Sequence, residues 1–252
     1  MQDRHAEYFR RGSAPRCALL MVHGIVGTPR HFDFLLPAVG EQWSVYNIRL
    51  EGHGAGVRDF SRSSMAAWKR QVKERLIELS QQHEVIVVCG HSLGTLLLLE
   101  ALPQFPKIRG ILLLNPPLHV HFWPKTWLQM LRQAFNLIDE NDPLQRATRD
   151  AAGVESDWRL WRYIGWLPRY LELLKLCRES RDRLGRIQVP CRVFHSRHDE
   201  LVSPRTRAHF EDTHCIKNTL LEDSWHFYYP EADAQRIRRA AAELLQQAEE
   251  KE

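Results

Sequence analysis

One serine, Ser92, stands in the run Gly90-His91-Ser92-Leu93-Gly94, with a glycine two positions away on either side. It follows an apolar, β-branched run at 84–89 and precedes a leucine-rich run at 93–104, so it falls where a strand turns into a helix. Such a turn lifts a hydroxyl clear of the sheet edge by straining the serine backbone. Side chains two residues away on either side would strike neighbouring main chain, and glycine removes them. The helix that follows aims its first amides at the same place, which makes the Leu93 N–H a donor to a developing oxyanion. Alone, the pentapeptide also fits a glycine-flanked turn before an ordinary helix. Its setting, and the partners described next, favour chemistry.

A serine hydroxyl is a weak nucleophile at neutral pH and needs a histidine base, which a carboxylate must orient. Two later loops supply candidates. After an apolar run at 191–195 comes Ser196-Arg197-His198-Asp199-Glu200-Leu201-Val202, and after 216–221 comes Glu222-Asp223-Ser224-Trp225-His226. Both loops fall at the C-terminal ends of expected strands, the edge at which open parallel sheets carry their sites. Asp199 is preferred by its place in the loop, with Glu200 the open alternative. His226 is preferred over His195, His198 and His214, which lie in or beside expected strands, where packing roles are commoner.

The second oxyanion donor is expected from the loop Met21-Val22-His23-Gly24-Ile25-Val26-Gly27-Thr28-Pro29, with the Ile25 amide as the candidate. His23 reads as a packed residue that orients this loop rather than as a catalyst. His195, His198 and Asp199, or His119 with His121, lack metal-ligand spacing, so no metal is expected. No GxGxxG follows a strand and no GxxxxGK[ST] occurs, so no cofactor or nucleotide is expected either.

Apolar runs at 17–22, 44–48, 84–89, 108–114, 191–195 and 216–221 alternate with helical patterns at 29–42, 64–83, 93–104, 204–212 and 231–249. The runs are apolar on both faces rather than alternating, as strands covered on both sides must be, and this predicts an α/β fold with a mostly parallel sheet between two helical layers. A short strand at 7–10 is expected to form a hairpin with 17–22 through Gly12 and Ser13. The rhythm breaks between residues 115 and 189, which show amphipathic helical patterns and no convincing strand. Residues 116–185 are therefore expected to form an inserted helical cap on a core of residues 1–115 and 186–252. Five of the eight tryptophans fall there, at 123, 127, 158, 161 and 166, with Phe122, Phe135, Tyr163 and Tyr170. Most are expected to pack the cap onto the core and a few to line an acyl pocket.

With 252 residues and 44% hydrophobic side chains, the chain can bury a large core. A net charge of +4, dispersed along the sequence, is too mild for a nucleic-acid groove and fits a small-molecule substrate. No apolar run approaches the roughly 20 residues that span a bilayer. The first residues lack the apolar centre of an export signal. Five cysteines without a CxxC pair argue against a disulfide framework. The expectation is a protein of the cytoplasm with no integral membrane segment.

Four blocks together resemble the small bacterial carboxylesterases and monoacylglycerol lipases of the α/β-hydrolase superfamily. They are His23-Gly24-Ile25-Val26-Gly27-Thr28-Pro29, Arg49-Leu50-Glu51-Gly52-His53-Gly54, Gly90-His91-Ser92-Leu93-Gly94, and the loops around Asp199 and His226. The resemblance spans residues 17–115 and 190–250 and leaves the cap unmatched. It implies Ser92 as nucleophile, Asp199 and His226 as its relay, Ile25 and Leu93 as oxyanion amides, and an ester or acylglycerol as substrate. Thr95 stands where these relatives often carry a further glycine, and Ile25 where many carry an aromatic, which bears on acyl preference. The triad also suits thioesters, amides, carbon–carbon cleavage or acyl transfer to an alcohol. A relative that binds a small ligand without catalysis is the rival of another class, and the complete serine, acid and histidine set argues against it.

Overall fold

The structure, a computed structural model, describes residues 5–14, 16–121, 139 and 141–250. Its main sheet has seven strands: β1 (Tyr8–Arg10), β2 (Cys17–Val22), β3 (Ser44–Ile48), β5 (Val85–His91), β6 (Ile108–Leu114), β8 (Cys191–Ser196) and β9 (Ile216–Leu221). The order is β1-β3-β2-β5-β6-β8-β9. Only β1 runs antiparallel. The doubly apolar runs explain this arrangement. Ala18, Leu20, Val22, Ile86 and Val88 face one core with α2 (Met65–Gln82) and α3 (Leu93–Ala101). Cys17, Leu19, Met21, Val85, Val87 and Cys89 face the other, with the C-terminal helix α6 (Glu231–Glu250) and the 3₁₀ segment Pro29–Ala38. Neighbouring residues thus serve opposite cores, and β5 ends at the centre of the sheet, beneath Ser92.

The N-terminal strand corrects the expected hairpin. Tyr8–Arg10 pairs with β3 instead of β2, whose two edges are already taken by β3 and β5. The Arg10 guanidinium secures the placement by donating to the carbonyls of Val39 and Gly40. A short helix, α1 (Val57–Arg62), stands where no helix was expected.

Between β6 and β8, the described residues form α4 (Pro143–Ala151), a 3₁₀ segment Leu160–Trp166, α5 (Leu167–Arg181) and a two-residue strand, β7 (Val154–Glu155). β7 corrects the strandless expectation: it pairs with β4 (Ala55–Gly56) in a separate two-stranded sheet. Two residues are too few to leave a periodic signal. α5 packs Leu173, Leu176 and Cys177 into the core that holds α3, and the Trp166 indole donates to the Val57 carbonyl at 3.0 Å. Trp158 and Trp161 are exposed rather than packed on the core. Phe122, Trp123, Trp127 and Phe135 lie outside the described residues. Among the described residues no helix is long and apolar enough to cross a membrane. The five cysteines are free, and burial pushes the Cys89 and Cys191 thiols well up.

Candidate active site

Ser92 sits between β5 and α3 with φ +50° and ψ −122°, a backbone conformation rarely adopted by residues with side chains. Its flanks show what the glycines are for. A Cβ on Gly90 would come within 2.7 Å of the Thr95 nitrogen, and one on Gly94 would run into the Val22 carbonyl oxygen. Thr95, the departure from the related pattern, uses its side chain here. Both its N–H, at 2.9 Å, and its Oγ1, at 2.6 Å, donate to the Ser92 carbonyl. The first turn of α3 is thereby fixed against the strained residue.

The loop after β2 packs directly on this turn: a Cβ built on Gly24 would lie 2.9 Å from that of Ser92. In the loop, the Val26 N–H donates to His53 Nε2 at 3.1 Å and the Gly27 N–H donates to the Gly24 carbonyl at 3.0 Å. These bonds occupy two of its amides, and the Ile25 amide expected as a donor is not one of them. His23 orients the loop, since its Nδ1–H donates to the Gly24 carbonyl at 2.8 Å while Nε2 accepts from Leu50 N–H at 3.1 Å. Burial lowers its pKa to about 4, so it stays neutral.

The acid and the histidine meet. His226 Nδ1–H donates to Asp199 Oδ2 at 2.8 Å, with both side chains almost wholly buried. The other carboxylate oxygen of Asp199 accepts from the N–H groups of Leu201, at 2.8 Å, and Val202, at 2.7 Å, which fixes its direction. Glu200, the open alternative, holds the backbone instead, accepting the His226 N–H at 3.1 Å. Burial alone would depress the imidazole pKa. The Asp199 charge, its hydrogen bond and the Glu200 charge outweigh that, and His226 is held above the ordinary histidine value.

The sequence offered no reading of the residues that hold the His226 backbone. His91 Nε2–H donates to the His226 carbonyl at 3.0 Å, and Asn115 Nδ2 donates to the same oxygen at 3.2 Å. Asn115 Oδ1 accepts from Ser196 N–H at 2.9 Å, so one side chain ties the end of β8 to the histidine loop. The available signal was an asparagine immediately after an apolar strand; here it adopts φ +48°. His31 lies against His91 with the rings tilted and their centroids 3.9 Å apart.

Two of the competing histidines, His198 and His195, are engaged elsewhere. His198 stacks on Trp225, His195 lies against Phe210, and His119 pairs with His209. His121 Nε2–H donates to the Asp199 carbonyl at 3.3 Å. Among the described residues no group of three or more His, Cys, Asp or Glu is placed to hold a metal ion.

The fold and this edge define an α/β-hydrolase: residues 19–240 match the model of the alpha/beta hydrolase family, and the chain belongs to it. Within that class it is similar to a thermostable monoacylglycerol lipase from Bacillus sp. (strain H-257), at 26% identity over 79% of this chain and 76% of the relative. Among solved structures it superposes on a metagenome-derived lipolytic enzyme from work on LipS and LipT with a TM-score of 0.74, at 21% identity over 96% of this chain and 97% of that one. The monoacylglycerol lipase of Paleococcus ferrophilus gives a TM-score of 0.67, at 21% identity over 96% and 98%.

Proposed function

We propose that this protein is a serine hydrolase that cleaves carboxylic esters, with small acyl esters or monoacylglycerols as its substrate class, through Ser92, His226 and Asp199. The observation that carries the reading is the 2.8 Å bond from His226 Nδ1 to Asp199 at the sheet edge that also carries the strained Ser92. With its proton committed to Asp199 on Nδ1, the neutral imidazole has Nε2 free of a proton and able to accept one.

Ser92 Oγ attacks the ester carbonyl as its proton passes to His226 Nε2. Charge develops on the former carbonyl oxygen, which the Leu93 and Ile25 amides stabilise, and the Asp199 carboxylate stabilises the imidazolium. His226 then protonates the departing alcohol, leaving an acyl group on Ser92. Water, deprotonated by the same histidine, releases the acid and restores the serine. Ser92 is 6% exposed and His226 1%, and an inserted cap would gate access to them. Residues 116–185 are proposed as that cap, and the core as residues 1–115 and 186–252.

Ser92→Ala is expected to lower ester turnover by roughly a millionfold, as in other serine triads. A fluorophosphonate probe should add one covalent adduct by intact mass to the wild type and none to the variant. A clean variant that keeps activity within tenfold of wild type ends the proposal. Esters of graded chain length, monoacylglycerols, thioesters and amides then rank the acyl and leaving groups.

A further inference from the structure

Val26 is a β-branched residue held at φ +57°, in the left-handed region, one position after the Ile25 amide. Such a residue stays there only if its surroundings overdetermine it. Two bonds do so, from opposite sides. Its N–H donates to His53 Nε2 at 3.1 Å, and its carbonyl accepts the Gly153 N–H at 2.7 Å.

Neither partner belongs to the triad. Because His53 Nε2 accepts, the ring proton is on Nδ1, which donates to the Leu50 carbonyl at 3.1 Å. Burial keeps the ring neutral, with a pKa well below the ordinary value. His53 is packed between His23, Phe60 and Trp68 and cannot readily swing away. Gly153 comes from the segment between β6 and β8. Its carbonyl accepts the Gly54 N–H at 2.6 Å, and the chain continues directly into β7, paired with β4. A Cβ at 153 would overlap the Gly27 carbonyl, so glycine is required for the approach.

We propose that His53 and Gly153 are positioning residues for the oxyanion hole, clamping both polar groups of Val26 so that the preceding Ile25 amide stays aimed at the reacting carbonyl. The inserted segment then completes the catalytic edge as well as covering it, and a displacement that breaks the Gly153 contact weakens the hole. This rests on the serine-hydrolase reading above.

The test compares purified full-length His53→Leu, His53→Gln and Gly153→Ala with wild type. It measures kcat and KM on a short-chain p-nitrophenyl ester, inhibition by an alkyl boronic acid that forms a tetrahedral adduct, the pH profile, and Tm. His53→Leu and Gly153→Ala are expected to lose about 10²-fold in kcat, the scale of one lost oxyanion donor. KM should stay within threefold, boronate affinity should weaken in parallel, and the acid limb set by His226 should not move. His53→Gln, which can still accept from Val26 N–H, should stay within tenfold of wild type. In the His53→Leu background, Val26→Gly should recover at least tenfold in kcat, since glycine holds a positive φ without a clamp.

Folded His53→Leu with kcat within threefold of wild type, or equal losses in the leucine and glutamine variants, would overturn the clamp. Should the leucine or alanine variant fail to fold, His53→Gln still decides: boronate affinity weakened more than tenfold at an unchanged Tm overturns it. A wild type that neither turns over the ester nor labels with a fluorophosphonate would overturn the hydrolase reading, and the clamp with it.

Discussion

The two halves of the proposed catalytic edge are built by different means. On the serine side, position is set by main-chain sterics: Gly90 and Gly94 admit neighbouring backbone, Ser92 and Val26 sit at positive φ, and Thr95 caps the turn through the Ser92 carbonyl. On the histidine side, position is set by side-chain hydrogen bonds. Asp199 takes three donors, Glu200 holds one amide, and His91 and Asn115 share the His226 carbonyl. Sterics tolerate almost no substitution but need no particular charge state. A polar network tolerates shape changes but depends on every partner and on pH. The serine half should therefore fail abruptly, and the histidine half by degrees.

Asp199→Asn gives the largest effect expected on the histidine side. It removes the Asp199 charge and the hydrogen bond to that charge, which raise the His226 pKa, and leaves burial, which lowers it, opposed only by the Glu200 charge. A kcat loss of about 10⁴-fold is expected from the wrong ring tautomer, by analogy with other triads. In the wild type the raised pKa puts the acid limb of kcat/KM above about 6.5, the ordinary histidine value. In the variant that limb should move to lower pH. A pH–rate profile with an unmoved limb would assign the titration to another group.

Asn115→Ala should act more gently. It strips one donor from the His226 carbonyl and leaves the Ser196 N–H without its acceptor. A loss of about 1–3 kcal/mol in stability is expected from the unpaired buried groups. With the histidine less well held, kcat should fall by about 10-fold to 100-fold. Urea unfolding and steady-state kinetics read the two separately. A large stability loss with unchanged kcat would show that His91 alone suffices to hold the loop.

The smallest effect expected on turnover comes with a change in the slope of stability with pH. Burial lowers His31 to about 3 and His23 to about 4, and His91 and His53 are also depressed. These groups bind a proton more readily unfolded than folded. Their stabilisation is present above about 6.5 and is lost as pH falls from there toward the folded values. His31 Nε2 is buried without a hydrogen-bond partner among the described residues, so His31→Phe should be tolerated. It should flatten the stability slope between about pH 6.5 and pH 4 by about 1.4 kcal/mol per pH unit, the value of one proton. An unchanged slope in denaturant titrations across that range would show that His31 is already protonated in the fold.

Much of the serine half is legible in the amino-acid sequence, because a glycine in a sterically closed turn is a local signature. The pentapeptide, the preceding apolar strand and the following helix lie within one short stretch of chain. The six principal strands emerged with bounds within two residues of those observed, since strands buried on both faces leave unbroken apolar runs. The N-terminal strand was mispaired because pairing depends on which edges remain open, a property of the completed sheet. β7 was missed because two residues carry no period.

Amino-acid order alone determined the fold class, the strand–turn–helix around Ser92 and the set of residues proposed as acid and base, because each depends on contacts between near neighbours or on an apolar pattern. Tertiary structure set the Asp199 carboxylate, rather than that of Glu200, against the His226 ring, and brought Asn115, His53 and Gly153 to the same edge. Those choices depend on directions and distances between strand ends far apart in the chain, and a hydrogen bond that spans 111 positions, such as that from Asn115 to His226, leaves no mark on the local sequence at either end.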